Sequence, residues 1–599
     1  MPLRIAVLVK QVPRFEAMRL GDDGRLEREG LELELNPYCR RAVAKGVELA
    51  NAGGGTCTVF SLGPLSAEDA LREAIAWGAN DGVLITDRAF AGSDTLATAR
   101  ALTAALRREG PFDLVLAGRN SVDADTGQVA PEVAELLGWP FLAGVRELEV
   151  DEKAARVRAR CEHDDGWVRA ECGLPALLSC AERLCEPAKV EPEGRAAVSA
   201  DRLRYLSASD LGEGPWGQEG SPTWVGQIRL LEVERSQILL SGPVDVQVAR
   251  AVDLLLDRGA LGHTSAAVSH EHVETQMVAH TGGPGAVVGV VVEPDRASVT
   301  RELLGAGARL AAGLNGRVVA IGPGPLDGAV LARWGADQAI AMPGELVEED
   351  IARGLTGWCE EAGPWAVLVP GTMWGREVAS RLAARIGAGL TGDAVDVDVS
   401  DGRLVGWKPA FGGRLVAAIT STSPTQLVTV RPGILPRLQP RELSSAPIEW
   451  LPVEPAARVV ILASGRDDDL ETLARAEVVV GVGTGVHPDE YPSLGPLLAI
   501  LGAELGATRK VTDRGWLPRS RQVGITGRSV GPRLYVALGL SGKFNHVVGV
   551  HGAGAVLAVN SDPDALVFGS ADVGVVADWH EAVPLLTAAL ERCLRAPAS

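Results

Sequence analysis

Short apolar runs alternate along the chain with longer segments in which apolar residues recur every three or four positions. The first run, Arg4–Lys10, is followed by helical spacing over Arg40–Ala52, which ends at three consecutive glycines, and then by a second run at Thr56–Leu62. Apolar runs predict buried strands, and the longer spacing predicts amphipathic helices. Because strands that alternate with helices form a parallel sheet covered on both faces, we predict an α/β fold.

The same alternation occurs three times. It restarts with apolar runs at Val287–Val292 and at Val478–Gly481. Within the first unit, the alternating segments Val145–Val150 and Arg156–Cys161 predict antiparallel strands, and Glu186–Pro222 has the Pro, Gly, Ser and charge content of a loop. We therefore predict three Rossmann-like parallel-sheet units.

We predict four segments from these restarts. Residues 1–261 form the first unit, 262–285 a linker, 286–470 the second unit and 471–599 the third. The linker is rich in His, Ser, Thr and Gly and lacks apolar periodicity, which is typical of a flexible connection. In the third unit, the apolar spacing over Ser493–Leu505 predicts a helix.

The balance of charges disfavours a polyanionic partner. Lys and Arg total 58 and Asp and Glu total 77, so the net charge is −19. Nucleic acid and anionic membranes repel an acidic chain, so we expect no nucleic-acid partner. No apolar run reaches the roughly 18 residues of a membrane-spanning helix, and the first run is too short for a signal peptide. We therefore expect a cytoplasmic protein.

The eight cysteines are too sparse for a disulfide framework. Cys161, Cys172, Cys180 and Cys185 contain no C-x-x-C pair, so buried thiols are favoured over an iron–sulfur cluster. Three histidines of the linker, His270, His272 and His280, could hold a metal ion, but a solvated linker is the favoured interpretation. We predict no metal site.

Small and polar residues follow four predicted strands of the third unit. These strand ends are Gly481–Gly485, Gly539–Gly542, Asn560–Asp562 and Asp578. Ligands of doubly wound sheets bind at the carboxyl ends of strands, so these residues predict a polar rim large enough for a dinucleotide. The glycines match neither G-x-G-x-x-G, because position 486 is valine, nor a P-loop, and a tight turn without a ligand remains an alternative.

Five ordered segments of the third unit resemble the FAD-binding domain of the electron transfer flavoprotein α subunit. The resemblance implies that the last unit is a flavin-binding domain that holds FAD. The flavin itself would carry the redox chemistry, so no catalytic acid or base is expected. The segments are Gly506–Arg509, Gln522–Ser529, Gly539–His546, Ala558–Pro563 and Val576–Asp578.

The first two units resemble the remaining parts of the same family. The first is similar to the β subunit and the second to the α-subunit N-terminal domain, which implies β and α subunits fused in one chain. The compact loop after Gly118 and the segment beginning at Lys408 are closer to the bifurcating or nitrogen-fixation-linked branch. The matching segments are Asn36–Cys39, Ser61–Pro64, Trp77–Ala79, Gly118–Val129, Gly220–Thr223, Lys408–Gly413 and Thr429–Gly433.

The resemblance also implies roles for residues of the FAD site. Thr508 and Arg509 would lie beside the isoalloxazine, Thr526 at its N5 edge, and His546 would donate a ring N–H near the flavin C2 carbonyl. The full set that the resemblance implies is Gly483, Thr484, Gly485, Thr508, Arg509, Gln522, Val523, Gly524, Ile525, Thr526, Ser541, Gly542, Lys543, Phe544, Asn545, His546, Asn560, Asp578 and Trp579.

Three members of this set depart from the family pattern. Thr484 stands where arginine usually contacts the pyrophosphate, and Ile525 and Asn545 each replace glutamine. A neutral hydroxyl in place of a charge-assisted contact costs about 1–2 kcal/mol of binding free energy unless another cation compensates. We expect FAD binding to survive, because the remaining contacts are many.

The resemblance implies a second nucleotide in the first unit, either a second FAD or AMP. An empty site with a capped helix remains an alternative. The glycines of this set permit close backbone approach to phosphates, and the predicted helix after Gln128 would direct N–H groups at them. The set is Leu8, Asn36, Pro37, Tyr38, Cys39, Leu62, Gly118, Asn120, Val122, Asp123, Asp125, Thr126, Gly127, Gln128 and Val129.

The function implied by the resemblance is electron transfer. The expected carrier takes electrons from a flavin dehydrogenase, of the acyl-CoA dehydrogenase class or similar, and passes them through FAD to a membrane-bound quinone oxidoreductase, with membrane contact only through that acceptor. The alternatives are an NADH-oxidising bifurcating flavoprotein with two FADs and an adenine-nucleotide sensor. Residues 188–204 lack the apolar anchor and lysine run of the family's recognition loop, so the partner stays open.

Overall fold

The computed structural model describes residues 2–13, 32–164, 166–230, 235–261, 277–410, 415–436, 438–443, 445–466, 471–524, 527–550 and 552–594. Most of the predicted linker, residues 262–276, lies outside this description, as do parts of several predicted motifs. Within the described residues, no helix has both the length and the apolar character needed to cross a bilayer.

Residues 2–261 alternate strands and helices as the apolar pattern predicts. The strands are β1 (Arg4–Leu8), β2 (Gln11–Pro13), β3 (Leu33–Leu35), β4 (Thr56–Leu62), β5 (Asp81–Ile85), β6 (Leu114–Gly118), β7 (Phe141–Asp151), β8 (Arg156–Glu162), β9 (Gly166–Gly173), β10 (Ala176–Cys180), β11 (Leu203–Leu206), β12 (Thr223–Leu230) and β13 (Ile238–Leu240). The helices are α1 (Cys39–Gly53), α2 (Glu68–Trp77), α3 (Thr95–Glu109), α4 (Val129–Leu137), α5 (Pro192–Ala196), α6 (Ala208–Leu211) and α7 (Val244–Asp257).

The alternation resumes after residue 277. The strands are β14 (Val287–Val291), β15 (Arg317–Pro323), β16 (Gln338–Met342), β17 (Ala366–Pro370), β18 (Leu390–Ala394), β19 (Asp396–Ser400), β20 (Arg403–Ala410), β21 (Leu415–Ser421), β22 (Gln426–Val430), β23 (Ile448–Trp450) and β24 (Val459–Arg466). The helices are α8 (Ala297–Gly313), α9 (Gly328–Trp334), α10 (Glu348–Ala362) and α11 (Met373–Ile386).

The last part of the chain forms a smaller unit. Its strands are β25 (Val478–Val482), β26 (Glu504–Ala507), β27 (Leu534–Leu538), β28 (Ala555–Asn560) and β29 (Val573–Val576). Its helices are α12 (Glu471–Arg475), α13 (Gly495–Leu501), α14 (Arg509–Asp513), α15 (Phe544–Val547) and α16 (Trp579–Leu594).

Three large sheets confirm the predicted α/β fold. The first has the order β11-β5-β4-β1-β6-β10-β7-β8-β9-β24, the second β18-β22-β17-β14-β15-β16-β23, and the third β13-β29-β28-β27-β25-β26. The second and third are parallel throughout, whereas β7, β8, β9 and β24 form the antiparallel part of the first. The antiparallel strands predicted from the alternating segments of the first unit are therefore confirmed.

Both faces of the central strands are buried, which explains their uninterrupted apolar runs. In β1, Ile5 and Val7 pack into the core on one face of the sheet, and Ala6 and Leu8 pack into the core on the other. A strand covered on both sides has no solvent-facing positions, so apolar and polar residues do not alternate along it.

Short strands pass from one unit to another. β12 pairs with β21 in a separate four-stranded antiparallel sheet, β13 joins the edge of the third sheet beside β29, and β24 joins the first sheet beside β9. Helix α7 follows β13 onto the third unit, where Ala251 and Leu255 lie in its core. Residues 238–257, which precede the predicted linker, thus pack on the last unit.

Two local predictions were wrong. The helix predicted over Ser493–Leu505 ends at Leu501, because Gly502 adopts a left-handed conformation with φ +58°, and β26 begins at Glu504. The segment Glu186–Pro222, predicted as a loop, contains α5, β11 and α6. These elements are short and bury few residues, so their apolar pattern is weak.

Candidate functional site

The third sheet changes its winding direction between β25 and β27. The chain leaves β25 toward β26 on one side, whereas β27 leads to β28 on the other, so the loops after these two strands diverge. The resulting crevice at the carboxyl ends of the strands is where open α/β sheets bind ligands. The glycine-rich ends of β25 and β27 flank it.

Glycine is required where these two loops cross, because their backbones touch. The Gly483 N–H donates to Leu538 O (3.0 Å), and the Gly485 N–H donates to Gly539 O (3.1 Å). A Cβ at Gly483 or Gly485 would collide with Gly539 O. Close packing of the two loops therefore accounts for these glycines, whether or not a ligand is bound.

The crevice opens into a cleft of about 920 Å³, within the roughly 300–1,000 Å³ typical of small-molecule and cofactor sites. Most of the FAD-binding set predicted from the sequence lines this cleft. The members brought together there are Gly483, Thr484, Gly485, Thr508, Arg509, Val523, Ser541, Gly542, Lys543, His546, Asn560, Asp578 and Trp579.

Other members of the set lie elsewhere or outside the described residues. Gln522 is buried, its Oε1 accepts a hydrogen bond from Thr512 Oγ1 (2.7 Å), and it lines a different cavity. Gly524 begins a turn in which its N–H donates to Arg528 O (3.0 Å). The structure does not describe Ile525 and Thr526, nor the side chains of Phe544 and Asn545.

His546 is held by the protein at both ring nitrogens. Nε2 lies 2.7 Å from the Tyr535 hydroxyl, and Nδ1 lies 3.0 Å from Val523 O. Burial lowers the pKa of His546 to about 4, so the ring is neutral near pH 7. In this arrangement, the predicted donation from His546 to a flavin carbonyl would require one of these two contacts to break.

Cations line the same cleft as Thr484, which stands where the resemblance expects an arginine. Lys510 and Lys543 line its walls together with Arg509 and Thr484. A lysine ammonium binds phosphate as a point charge, whereas an arginine guanidinium can bind it with two parallel hydrogen bonds. The lysines can therefore supply the positive charge that Thr484 lacks, but they cannot form the two parallel hydrogen bonds of an arginine.

Aromatic and acidic side chains lie together at the cleft around the start of α16. Trp579 Nε1 donates to Gly485 O (3.2 Å), and the Trp579 ring stacks on His580 with centroids 3.9 Å apart. His580 Nδ1 lies 2.7 Å from Asp578 and its Nε2 lies 2.7 Å from Glu490, and hydrogen bonds to these two carboxylates raise its pKa. The sequence motifs missed His580 and Glu490, although His580 directly follows two predicted residues.

Arg509 connects this cleft to the first unit. Its Nη1 donates to the Tyr38 hydroxyl (3.2 Å), and its guanidinium lies 4.9 Å from the centroid of the Tyr38 ring. Tyr38 is 1% exposed, and burial raises the pKa of its hydroxyl. Since Tyr38 belongs to the second predicted nucleotide set, the two sets are in direct contact.

Glu182 lies at the centre of the charges between the first and third units. Its carboxylate is 2.9 Å from Arg119, 3.7 Å from Arg519 and 3.8 Å from Arg509. Burial alone would raise the pKa of Glu182, but Arg119, Arg519 and Arg509 together lower it well below the usual range. The carboxylate is therefore ionised and links arginines of both units.

The second predicted set gathers at the carboxyl ends of β1, β4 and β6, where Leu8, Leu62 and Gly118 lie. Between β1 and β6 the first sheet changes its winding direction, as the third sheet does between β25 and β27. A Cβ at Gly118 would approach within 2.9 Å of Cys39 N, so this glycine allows α1 to pack on the strand end.

Asn36 holds the loop after β6 in place through two hydrogen bonds. Asn36 Nδ2 donates to Asn120 O (2.8 Å), and Asn36 Oδ1 accepts from the Val122 N–H (3.3 Å). Asp123 pairs with Lys10 at 2.6 Å, and Asp125 has φ +46°. The loop is thus folded back over the strand ends.

The remaining members of the second set continue from this loop into α4. Gly127 has φ +65°, and the Gln128 side chain is turned to the second unit, where its Nε2 donates to Leu390 O (3.4 Å). No side chain caps the first turn of α4, which begins at Val129. Pro37 and Thr126 complete the set, since Pro37 directly follows Asn36 and Thr126 lies within the loop itself.

A second cavity lies where the three units meet. It measures about 120 Å³ and is lined by Asp125 of the first unit, Thr372 and Arg431 of the second, and Ser529 of the third. Arg431 Nη1 donates to Ser529 Oγ (3.2 Å). The loop of the second predicted set therefore faces residues of the other two units.

The buried cysteines and the fold agree with the expectations from composition. Cys161, Cys172 and Cys180 are buried free thiols and Cys185 is half-buried.

The three sheets are mainly parallel, and the cleft of about 920 Å³ lies at a topological switch point. This arrangement is typical of α/β nucleotide-binding proteins.

Comparisons with known proteins identify the family within this class. The electron transfer flavoprotein domain matches residues 23–201 and 288–456, and the electron transfer flavoprotein FAD-binding domain matches residues 472–551. The chain belongs to the electron transfer flavoprotein family.

Relatives of both subunit types match this one chain. Protein FixB of Azorhizobium caulinodans is 34% identical over 323 residues, which cover 50% of this chain and 88% of the relative. In Thermoanaerobacterium thermosaccharolyticum, the electron transfer flavoprotein subunit beta is 36% identical and covers 43% of this chain and 99% of its own. The subunit alpha of the same organism is 33% identical, and the match covers 43% of this chain and 81% of that subunit. The predicted fusion of β-like and α-like parts is confirmed.

Proposed function

We propose that this electron-transfer flavoprotein binds FAD in the cleft of the third unit and uses it to carry electrons between two protein partners. The observation that carries the proposal is the cleft of about 920 Å³ at the switch point between β25 and β27. When bound, FAD supplies the electron-accepting and electron-donating chemistry. The protein would bind and orient it.

The residues that line the cleft suit the parts of FAD. Ser541, Asn560 and Asp578 offer hydroxyl, amide and carboxylate groups at successive strand ends, which is the chemistry that ribityl and ribose hydroxyls require. Lys510 and Lys543 place positive charge on the walls, which favours a pyrophosphate. The set of donors and acceptors therefore fits FAD.

Arg509 would bring the redox end of FAD to the boundary with the first unit. It lines the cleft and also contacts Tyr38. A positive charge beside a flavin ring favours electron density on the reduced ring and so raises its reduction potential. A partner that reaches this boundary would therefore find the electron-carrying end of the cofactor.

We propose a flavin dehydrogenase as the donor, of the acyl-CoA dehydrogenase class or similar, and a membrane-bound quinone oxidoreductase as the acceptor. Contact with the membrane would come only through the acceptor. Family membership supports this pair, and the divergent segment 188–204 leaves the individual partners open. The negative net charge of −19 favours partners with positive docking surfaces.

A second nucleotide, FAD or AMP, is proposed at the ends of β1, β4 and β6. Its support is the ordered loop beneath Asn36 and the uncapped start of α4. A second FAD would favour the alternative function, an NADH-oxidising bifurcating flavoprotein. Denaturation of the protein and quantification of the released FAD and AMP decides between the two nucleotides.

The assignment of FAD to the third-unit cleft can be tested by filling the cleft. Thr484 lines the cleft and is exposed, so Thr484→Trp should obstruct the cofactor and lower the FAD content of the purified protein at least tenfold. Ala499→Trp is the control, because Ala499 is exposed on α13 away from the cleft. Equal FAD content in both variants would contradict the assignment.

A further inference from the structure

A hydrogen-bonded chain lies behind the FAD cleft, and one of its members, Tyr535, belongs to none of the sequence motifs. Tyr535 lies on β27 in the middle of the sheet and is 1% exposed. Its hydroxyl is 2.7 Å from His546 Nε2, and His546 Nδ1 is 3.0 Å from Val523 O. The imidazole is thus held between a central strand and the segment that follows β26.

The donor in each hydrogen bond follows from the groups present. Val523 O can only accept, so Nδ1 of His546 carries the proton. Burial lowers the pKa of His546 to about 4, so Nε2 of the neutral ring is an acceptor at pH 7. Burial raises the pKa of Tyr535, and its hydroxyl therefore stays protonated and donates to Nε2.

Gly481 provides the space for this hydroxyl. Gly481 lies on β25 beside β27, and a Cβ at that position would overlap the Tyr535 hydroxyl oxygen. All the other residues of β25 are valines, and a glycine within a strand weakens it. The approach of Tyr535 gives this glycine a structural reason.

We propose that Tyr535 is a positioning residue of the FAD site, because its hydroxyl holds His546 as the Nδ1–H tautomer that joins the segments following β26 and β27. Val523 and His546 both line the cleft, so the imidazole sets the spacing between two of its walls. The inference rests on the proposed function, since it assumes that this cleft binds FAD.

Tyr535→Phe tests the proposal with little change in shape. The substitution leaves the buried Nε2 without its donor, so the two segments are held less firmly and FAD should bind about tenfold more weakly. Tyr491→Phe is the matched control, because the buried Tyr491 hydroxyl has no hydrogen-bond partner within the described residues. Its FAD dissociation constant, measured by flavin fluorescence, should stay within about twofold of wild type.

Nitrogen NMR of protein without FAD, labelled with ¹⁵N only at histidine, provides a readout that packing alone would not change. The chain has nine histidines, and His546→Gln assigns the signals of His546. We expect a protonated Nδ1 and a hydrogen-bonded, unprotonated Nε2 in wild type and in Tyr491→Phe. In Tyr535→Phe, the Nε2 signal should move to the position of an unprotonated nitrogen that accepts no hydrogen bond. Gly481→Ala should produce the same displacement, because its Cβ would push the Tyr535 hydroxyl away.

The two readouts separate the possible results. A tenfold loss of affinity together with a displaced Nε2 signal supports the proposal. Loss of affinity with an unmoved Nε2 signal would show that Tyr535 acts only through packing, and unchanged affinity with a displaced signal would remove any role in FAD binding, so either result overturns the proposal. A wild-type protein that binds no FAD would overturn the proposed function, whatever the NMR shows.

Discussion

At the scale of single residues, the glycines of the third unit have identifiable structural reasons. Gly483 and Gly485 lie against the backbone at Gly539, and Gly481 leaves room for Tyr535. Sequence motifs indicated the first two as nucleotide-binding glycines, but they could not indicate the reason, since the contacts join loops more than 50 residues apart. Tyr535 was missed because a tyrosine within an apolar strand resembles any other core residue.

Thr484 provides the first prediction at this scale. Thr484→Arg would place a guanidinium on the wall of the cleft, where a charge-assisted hydrogen bond to a phosphate is worth about 1.5–3 kcal/mol when buried and less at an exposed position. We expect FAD to bind about five- to tenfold more tightly, as measured by fluorescence titration. Ala499→Arg adds the same charge on the exposed face of α13 and should leave the affinity unchanged. Weaker binding by Thr484→Arg would show that position 484 does not face the phosphates.

At the scale of helices and strands, the apolar runs predicted the large parallel sheets well. They could not predict β12, β13 and β24, because these strands expose much of their length and pair with residues far away in sequence. The apolar residues of α7 recur at helical spacing. Its location on the third unit, however, depends on partners such as Val576, whose backbone exchanges two hydrogen bonds with the Gln247 side chain.

The location of α7 predicts that the first half of the chain stabilises the last unit. Leu255 is 1% exposed in the third-unit core, whereas the neighbouring Leu256 is 37% exposed. Leu255→Ala should lower the free energy of unfolding by about 2–5 kcal/mol, and Leu256→Ala by less than about 1 kcal/mol. Unfolding of the third unit releases FAD and changes the flavin fluorescence. Denaturant unfolding followed by this signal therefore reports on the third unit directly. Equal effects of the two substitutions would mean that α7 does not pack there.

At the scale of the whole molecule, exchanged strands and a buried charge cluster connect the three units. Glu182 links Arg119 of the first unit to Arg509 and Arg519 of the third. The sequence did not indicate this cluster, since Glu182 and Arg519 belong to none of the segments that carry the family resemblance. Because Arg509 also lines the cleft, the charges that join the units are continuous with the FAD site.

Glu182→Gln should therefore destabilise the contact between the units. Removing the carboxylate takes from the buried Arg119 its 2.9 Å ion pair and weakens the charge balance around Arg519 and Arg509, at a cost of about 3–5 kcal/mol at pH 7. Glu147→Gln is the control, because Glu147 forms a 3.2 Å pair with Arg160 while 52% exposed, and such surface pairs contribute at most about 1 kcal/mol. Chemical denaturation of both variants measures the difference.

The pH dependence of stability tests the same cluster. The pKa of Glu182 is lower in the folded protein than the ordinary value of about 4.3. Its contribution is therefore present above about pH 4.3 and is lost as the pH falls toward the folded pKa. Wild type should lose stability more steeply than Glu182→Gln between about pH 5 and pH 2. Parallel pH profiles would contradict an ionised Glu182 at the boundary.

The most direct test of the account is the number of FAD molecules bound per chain, measured from the visible spectrum of the purified protein and from the flavin released on denaturation. We expect one FAD in the cleft between β25 and β27, in addition to whichever nucleotide occupies the first unit. Thr484→Trp should lose this FAD, and Ala499→Trp should retain it. A folded wild-type protein that remains colourless after incubation with FAD, or a flavin that both variants retain equally, would contradict the account.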